Sequence, residues 1–274
     1  MRKGIRHWLR WTAPAMLLVG WLLPVGCATP EEPSDVTLDE LEARMVQAMD
    51  PGKNYRNAYS YFQRQNIEEK RFFSANHYLV EVRFQRPDKF KFTVFEENTP
   101  QSAIISKGGQ AWTIDYVNGV ISELTGRELA KVKTMLALGH PDNDYDQLFE
   151  KVDLSIVKLP DDDAEYYKLV CDTGITDQKP IIIYVDRARA LPKRMELDFK
   201  AGDIEVHYVN DIVEYQTFDE VKIPSLSRIT ENDREYTSRV VGYVLNPKFK
   251  NDEFDVPEFD PVLMEVKRQR LKNR

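Results

Sequence analysis

Few residues of this chain are spaced for bond-making chemistry. His77, His140 and His207 stand far apart, and no pair falls at a spacing that would put two ring nitrogens on one helix face. His7 belongs to the first twenty-six residues. No Gly-x-Ser-x-Gly elbow, His-Glu-x-x-His helix or phosphate loop occurs. Cys171 lies in the apolar alternation Tyr167, Leu169, Cys171 with no histidine beside it to take its proton, which reads as a small buried hydrophobe. Asp142, Asp144 and Asp146 alternate as the start of a calcium loop does, but Gln147 stands where that loop needs glycine, so this is a capped turn of solvated acids. No catalytic residue, metal site or cofactor is expected.

One cysteine is placed for a covalent fate. Residues 1–26 carry Arg2, Lys3, Arg6 and Arg10, no acid, and an apolar run from Trp11 to Val25 interrupted by Pro14 and Pro24. That is too short for a membrane span and reads as a secretory signal peptide. Leu22-Leu23-Pro24-Val25-Gly26-Cys27 resembles the lipobox of bacterial lipoproteins, in which Cys27 would become the lipidated, palmitate-bearing first residue. Ala28, where such lipoproteins use Asp as an inner-membrane retention signal, implies by that resemblance an outer-membrane anchor facing the periplasm. Residues 27–36, rich in Pro and acid, read as the lipidated cysteine and its tether.

The elements behind these residues are mostly strands. With the four signal cations removed from 38 Lys and Arg, against 45 Asp and Glu, the remainder carries about −11, which excludes a nucleic-acid partner. Thr37 and Glu40 form a capping box before the helical spacing Leu38, Leu41, Met45, Ala48, Met49. From Tyr55 the chain runs as strand after strand, with turn dipeptides at Gly108-Gly109 and Asn118-Gly119. Leu129, Val132 and Leu136 give a second helix, 126–138, an apolar stripe, and a short helix covers Asp144 to Glu150. The expected fold is α+β: one strongly curved antiparallel sheet, an unclosed half-barrel of about eleven strands, with a helical lid. The domain occupies 37–260, and 261–274 form a basic C-terminal tail.

The organising stretch is Asn76 to Phe95. Tyr78, Val80, Val82 and Phe84 alternate with polar neighbours, and after a Pro-Asp break Phe90, Phe92 and Val94 resume the alternation. Two such strands joined in a hairpin present one greasy face. Arg86, at the corner, either marks where that face meets water or points inward and needs carbonyl partners. The apolar set outgrows what the helix stripe Leu129, Val132, Leu136 can cover, which predicts a cavity under a removable lid.

Arg86-Pro87-Asp88-Lys89-Phe90-Lys91-Phe92 resembles the Arg-Pro hairpin of the LolA/LolB lipoprotein carrier and receptor superfamily. Ser106 to Asp115, with Trp112, is similar to that family's next hairpin, and Glu253-Phe254-Asp255-Val256-Pro257 to its closing strand end. The resemblance spans roughly Leu38 to Pro257. It implies an outer-membrane lipoprotein-sorting protein, with acyl chains of lipoproteins or lipids as ligands in a cavity that includes Trp112, and with Arg86 as a lock on the lid 126–138. A monomer anchored through Cys27 fits a receptor or acceptor in lipid or lipoprotein sorting, with a periplasmic carrier protein as a further partner. The alternative is an envelope sensor or scaffold lipoprotein that binds a protein partner with the same fold.

Overall fold

Alternation at period two makes strands, and helical spacing makes two of the three helices. A computed structural model of the chain describes residues 31–70, 75–138, 144–159, 162–176, 178–201 and 204–259. Residues 1–30, with the signal segment, Cys27 and the start of the tether, lie outside them, as do His140, Asp142 and the 261–274 tail. The strands are β1 (Glu32–Pro33), β2 (Ser60–Lys70), β3 (Ala75–Gln85), β4 (Lys89–Glu96), β5 (Thr99–Lys107), β6 (Gln110–Asp115) and β7 (Val120–Leu124). They continue as β8 (Lys151–Lys158), β9 (Glu165–Asp172), β10 (Ile181–Asp186), β11 (Leu191–Ala201), β12 (Ile204–Phe218), β13 (Val221–Glu231) and β14 (Arg234–Leu245). The helices are α1 (Leu38–Met49), α2 (Gly126–Leu138) and α3 (Tyr145–Leu148).

All fourteen strands form one unclosed, strongly curved antiparallel sheet in the order β1-β8-β9-β10-β11-β12-β13-β14-β2-β3-β4-β5-β6-β7. This is more than the about eleven expected. One of the extra strands is a piece of the tether: Glu32 and Pro33 pair with Ile156 and Ser155 of β8. Glu31 ion-pairs with Lys168 at 2.5 Å and Asp35 with Arg187 at 2.7 Å, so this part of the tether is fastened to the sheet. None of the described helices is long and apolar enough to cross a membrane.

The Thr37 capping box forms as read, with Thr37 Oγ1 accepting from Glu40 N at 3.3 Å and Glu40 Oε2 accepting from Thr37 N at 2.9 Å. It starts α1, which lays Leu41 and Met45 onto the inner face of the sheet beside Tyr145 and Phe149, at the start and end of the α3 turn. There they bury Leu169, Cys171, Ile181, Ile183, Val185 and Leu197 in the main core. Cys171 is free and fully buried, and burial pushes its thiol up to about 12, as a small hydrophobe in an apolar core requires.

The outer face of β3–β6 carries the C-terminal segment. Phe254 is buried there, Phe259 meets Tyr116 edge to face, and Glu253 takes Arg83 at 3.1 Å and Lys91 at 3.6 Å. The run Glu253 to Pro257, read as a closing strand end, is a turn and extended chain lying across the sheet. Beneath it Glu81 is buried between Arg64 (2.5 Å) and Arg83 (2.6 Å).

Candidate functional site

The inner face of the β14–β2–β3–β4–β5–β6 half can be read row by row from the ladder, because directly paired residues in an antiparallel sheet share a face. The first row is Leu245, Tyr61, Phe84, Phe90, Ser106 and Ala111; the second Tyr243, Gln63, Val82, Phe92, Ile104 and Thr113. The third is Val240, Gln65, Val80, Val94 and Ser102, and the fourth Ser227, Ser238, Ile67 and Tyr78. Seven of the residues singled out in the sequence, Tyr78, Val80, Val82, Phe84, Phe90, Phe92 and Val94, therefore stand together on one face. Val80 and Phe84 are buried, whereas Tyr78, Val82, Phe90, Phe92, Val94 and Ile104 are only half-buried.

Trp112 does not join them. It pairs with Ile105 and Glu123 on the outer face, and its neighbours Ala111 and Thr113 point inward instead. The stretch Ala111-Trp112-Thr113-Ile114 alternates equally well in either phase, and a slip of one residue exchanges the two faces. Only the pairing of β5 with β4 settles it.

Sequence reasoning missed Tyr61, Tyr243, Tyr55 and Ile104. Tyr61 and Tyr243 stack with ring centroids 6.2 Å apart, and Tyr61 stacks on Phe84 at 5.2 Å. Tyr55, from the turn after α1, lies 5.5 Å from Tyr61. Burial pushes the Tyr61 hydroxyl up to about 12 and raises Tyr55 and Tyr243 as well. On β2 the inward set Tyr61, Gln63, Gln65, Ile67 mixes polar with apolar, so it shows no stripe. On β14 the register shifts between Val240 and Gly242, which brings Val240 and Tyr243, three apart, to the same face. Period-two reading cannot find that pair.

Arg86 closes this end of the face. It donates from Nε to the carbonyl of Ala58 at 2.8 Å and from a terminal nitrogen to the carbonyl of Arg56 at 2.5 Å. The guanidinium thus points to carbonyls, and these two belong to the α1–β2 connection. The connection is held in shape by Asp50, which is buried and accepts from the backbone N–H of Asn54 (2.7 Å), Tyr55 (3.0 Å) and Arg56 (3.0 Å). A short turn carrying this many backbone polar groups stays at the end of a sheet only if they are paired.

α2 contacts β6 and α3 and so sits across the far side of this half. Leu129 and Val132 are half-buried on it; the side chain of Leu136 lies outside the described residues. Two clefts flank α1 on the side opposite Leu41 and Met45. One, of about 440 Å³, is lined by Asp39, Glu42, Lys53, Arg56, Asp144 and Asp146, and the other, of about 480 Å³, by Arg44, Gln47, Arg187 and Arg189. Both mix charged side chains with small apolar ones and neither is lined by α2, so neither is the greasy cavity expected under that helix. The apolar surface is instead a half-covered groove along β3 and β4. Asp144 ion-pairs with Arg56 at 3.6 Å and Asp146 is exposed, as expected of a solvated turn.

No protein-family model and no curated protein sequence matches the chain. Solved structures do. A LolA superfamily protein from Nitrosomonas europaea is 11% identical, with 81% of this chain and 98% of that one covered at a TM-score of 0.53. An outer membrane lipoprotein-sorting protein domain from Vibrio parahaemolyticus is 10% identical, with 80% and 97% covered at 0.51. A DUF1329 family protein from Desulfovibrio piger is 12% identical, with 80% and 95% covered at 0.53. Similarity at this level of identity is similarity of architecture, and the chain has a LolA/LolB-like fold.

Proposed function

We propose that this protein is a lipid-anchored envelope protein that holds an acyl chain of a lipid or lipoprotein in the groove along β3 and β4, as an acceptor in outer-membrane sorting. The observation that carries the reading is the uneven cover of two apolar patches on one face of the sheet. Leu169, Ile181 and Val185 are sealed under α1 and α3, while Val82, Phe90, Phe92, Val94 and Ile104 on the same face remain half-exposed. Apolar surface left in water costs about 25 cal/mol per Å², and an acyl chain laid on it removes both its own and the groove's exposed area. For a sixteen-carbon chain the gain is on the order of 10 kcal/mol. The likeness to a lipoprotein-sorting domain supports the same reading at the level of fold.

The chain enters between α2 and the sheet and displaces the half-buried Leu129 and Val132 from their contacts. It leaves when a bilayer or a second carrier offers a competing apolar surface. Cys27 carries the anchor in this reading. Because Glu31 is already fastened to Lys168, four residue steps separate the anchor from the sheet, at most about 14 Å. That tether keeps the β8–β9 side beside the membrane and rules the protein out as a free shuttle.

The test is displacement of a fluorescent fatty acid from the mature protein. Val82→Glu and Phe92→Glu weaken binding more than about tenfold, since each puts a charge in the groove, while circular dichroism stays native. Folded variants that bind as the wild type does would reject the groove. Cys27→Ala moves the protein from the membrane fraction to the soluble one.

A further inference from the structure

The two clefts along α1 differ in charge. The first is lined by four carboxylates, Asp39, Glu42, Asp144 and Asp146, beside Lys53 and Arg56. The second, between α1 and the β10–β11 turn, has no carboxylate in its lining: Arg44, Arg187, Arg189 and Gln47 stand among alanines, whose short side chains leave the space open. In a chain with 45 Asp and Glu against 38 Lys and Arg, three guanidiniums around one opening go against the overall balance.

Two of the three are held from behind. Asp186, itself buried, accepts from the backbone N–H of Ala188 at 3.0 Å and of Arg189 at 2.9 Å, and from Arg189 Nε at 2.7 Å, so it fixes the turn and the side chain together. Arg187 donates to Asp35 at 2.7 Å and to Glu165. A guanidinium carries five N–H donors, and the pair with Asp186 engages Nε and one terminal nitrogen of Arg189, leaving the other for a ligand. Arg44 is exposed and forms no ion pair among the described residues; its one hydrogen bond goes to the Tyr167 hydroxyl at 3.5 Å.

We propose that this arginine cleft binds a phosphate group. Guanidinium forks match the oxygens of carboxylates and phosphates alike. A carboxylate, however, offers two oxygens in one plane, whereas forks set on a helix and on a turn approach from different directions, as a tetrahedral group requires. Asp35 and Asp186 hold two forks in place beforehand, so less side-chain freedom is lost on binding. Arg44 supplies the charge that no carboxylate of the protein has claimed. Asp35 belongs to the tether, so the cleft adjoins the segment fastened to the sheet, and its phosphate comes from a lipid head group or from a soluble ester.

The test uses the mature chain with Cys27→Ala, which carries no anchor. It is titrated with inorganic phosphate by calorimetry at constant ionic strength, and sedimented with vesicles of phosphatidylcholine alone or mixed equally with phosphatidic acid. Phosphate binds, and Arg44→Gln weakens binding about tenfold or more. Arg228→Gln, the same charge change at an exposed position of β13, leaves it unchanged. Cosedimentation that requires phosphatidic acid and Arg44, and that inorganic phosphate competes away, assigns the site to a lipid head group; phosphate binding without cosedimentation assigns it to a soluble ester. Neither phosphate binding nor cosedimentation, or binding that a folded Arg44→Gln variant keeps in full, overturns the site. Displacement of the fluorescent fatty acid reads the groove alone, so the two readings fail separately.

Discussion

The same inner face is finished in two ways. On the β8–β11 half, alternating residues such as Leu169, Ile183 and Val185 are packed to near-zero exposure by Leu41, Met45, Tyr145 and Phe149. On the β2–β6 half, Val80 and Phe84 are buried, but Val82, Phe90, Phe92, Val94 and Ile104, of the same kind and spacing, stop at half burial. The difference lies in the cover. Two helical segments reach the first half with large apolar groups, whereas the second is left to α2, which touches β6 and α3. A greasy strand face is therefore a core or a binding surface according to what folds over it, and its own side chains do not say which.

Substitutions should separate the halves sharply. Ile183→Glu buries an unpaired charge in the sealed half and is expected to cost more than about 4 kcal/mol, enough to unfold the chain by circular dichroism. Phe92→Glu, its counterpart in the groove, leaves a folded protein; if both unfold, the halves are one core. Leu41→Ala opens a cavity worth about 2–5 kcal/mol in urea titration, while Val82→Ala, already half in water, costs about 1 kcal/mol or less. Arg86→Met strips charged donors from the carbonyls of Arg56 and Ala58 and is expected to cost about 1–3 kcal/mol. Faster amide exchange across residues 50–58 would localise that loss to the closed end of the groove.

The smallest effect concerns how α1 holds α3. Burial raises Glu42 above the usual glutamate range, reinforced by Asp144, Asp146 and Asp39, although its Oε1 accepts from Tyr145 N at 2.7 Å. The folded state thus keeps a proton that the unfolded chain has already lost. Stability should fall as pH rises from the ordinary glutamate range through the raised value. Glu42→Gln is expected to flatten that slope slightly in thermal melts, and an unchanged slope would assign it to other groups.

Much of this architecture was legible beforehand. The capping box of Thr37 and Glu40, the Asn76 to Phe95 hairpin and the helix 126–138 follow from local patterns that the chain enforces over a few residues, and each is present. The tether was misread for a physical reason: Glu32 and Pro33 have no strand signal of their own and become one by pairing with an edge that lies more than a hundred residues away.

By itself the sequence determined which residues alternate, where helices begin and that Cys171 is an inert apolar group, because these depend on neighbours two to four positions apart. Tertiary structure alone decided that Trp112 faces outward, that a bulge brings Val240 and Tyr243 together, and that Arg86 clasps the α1–β2 connection. It also decided which half of the apolar face stays uncovered. Register, bulges and cover are properties of paired strands and packed layers, and they take their free energy from contacts between segments that no single segment encodes.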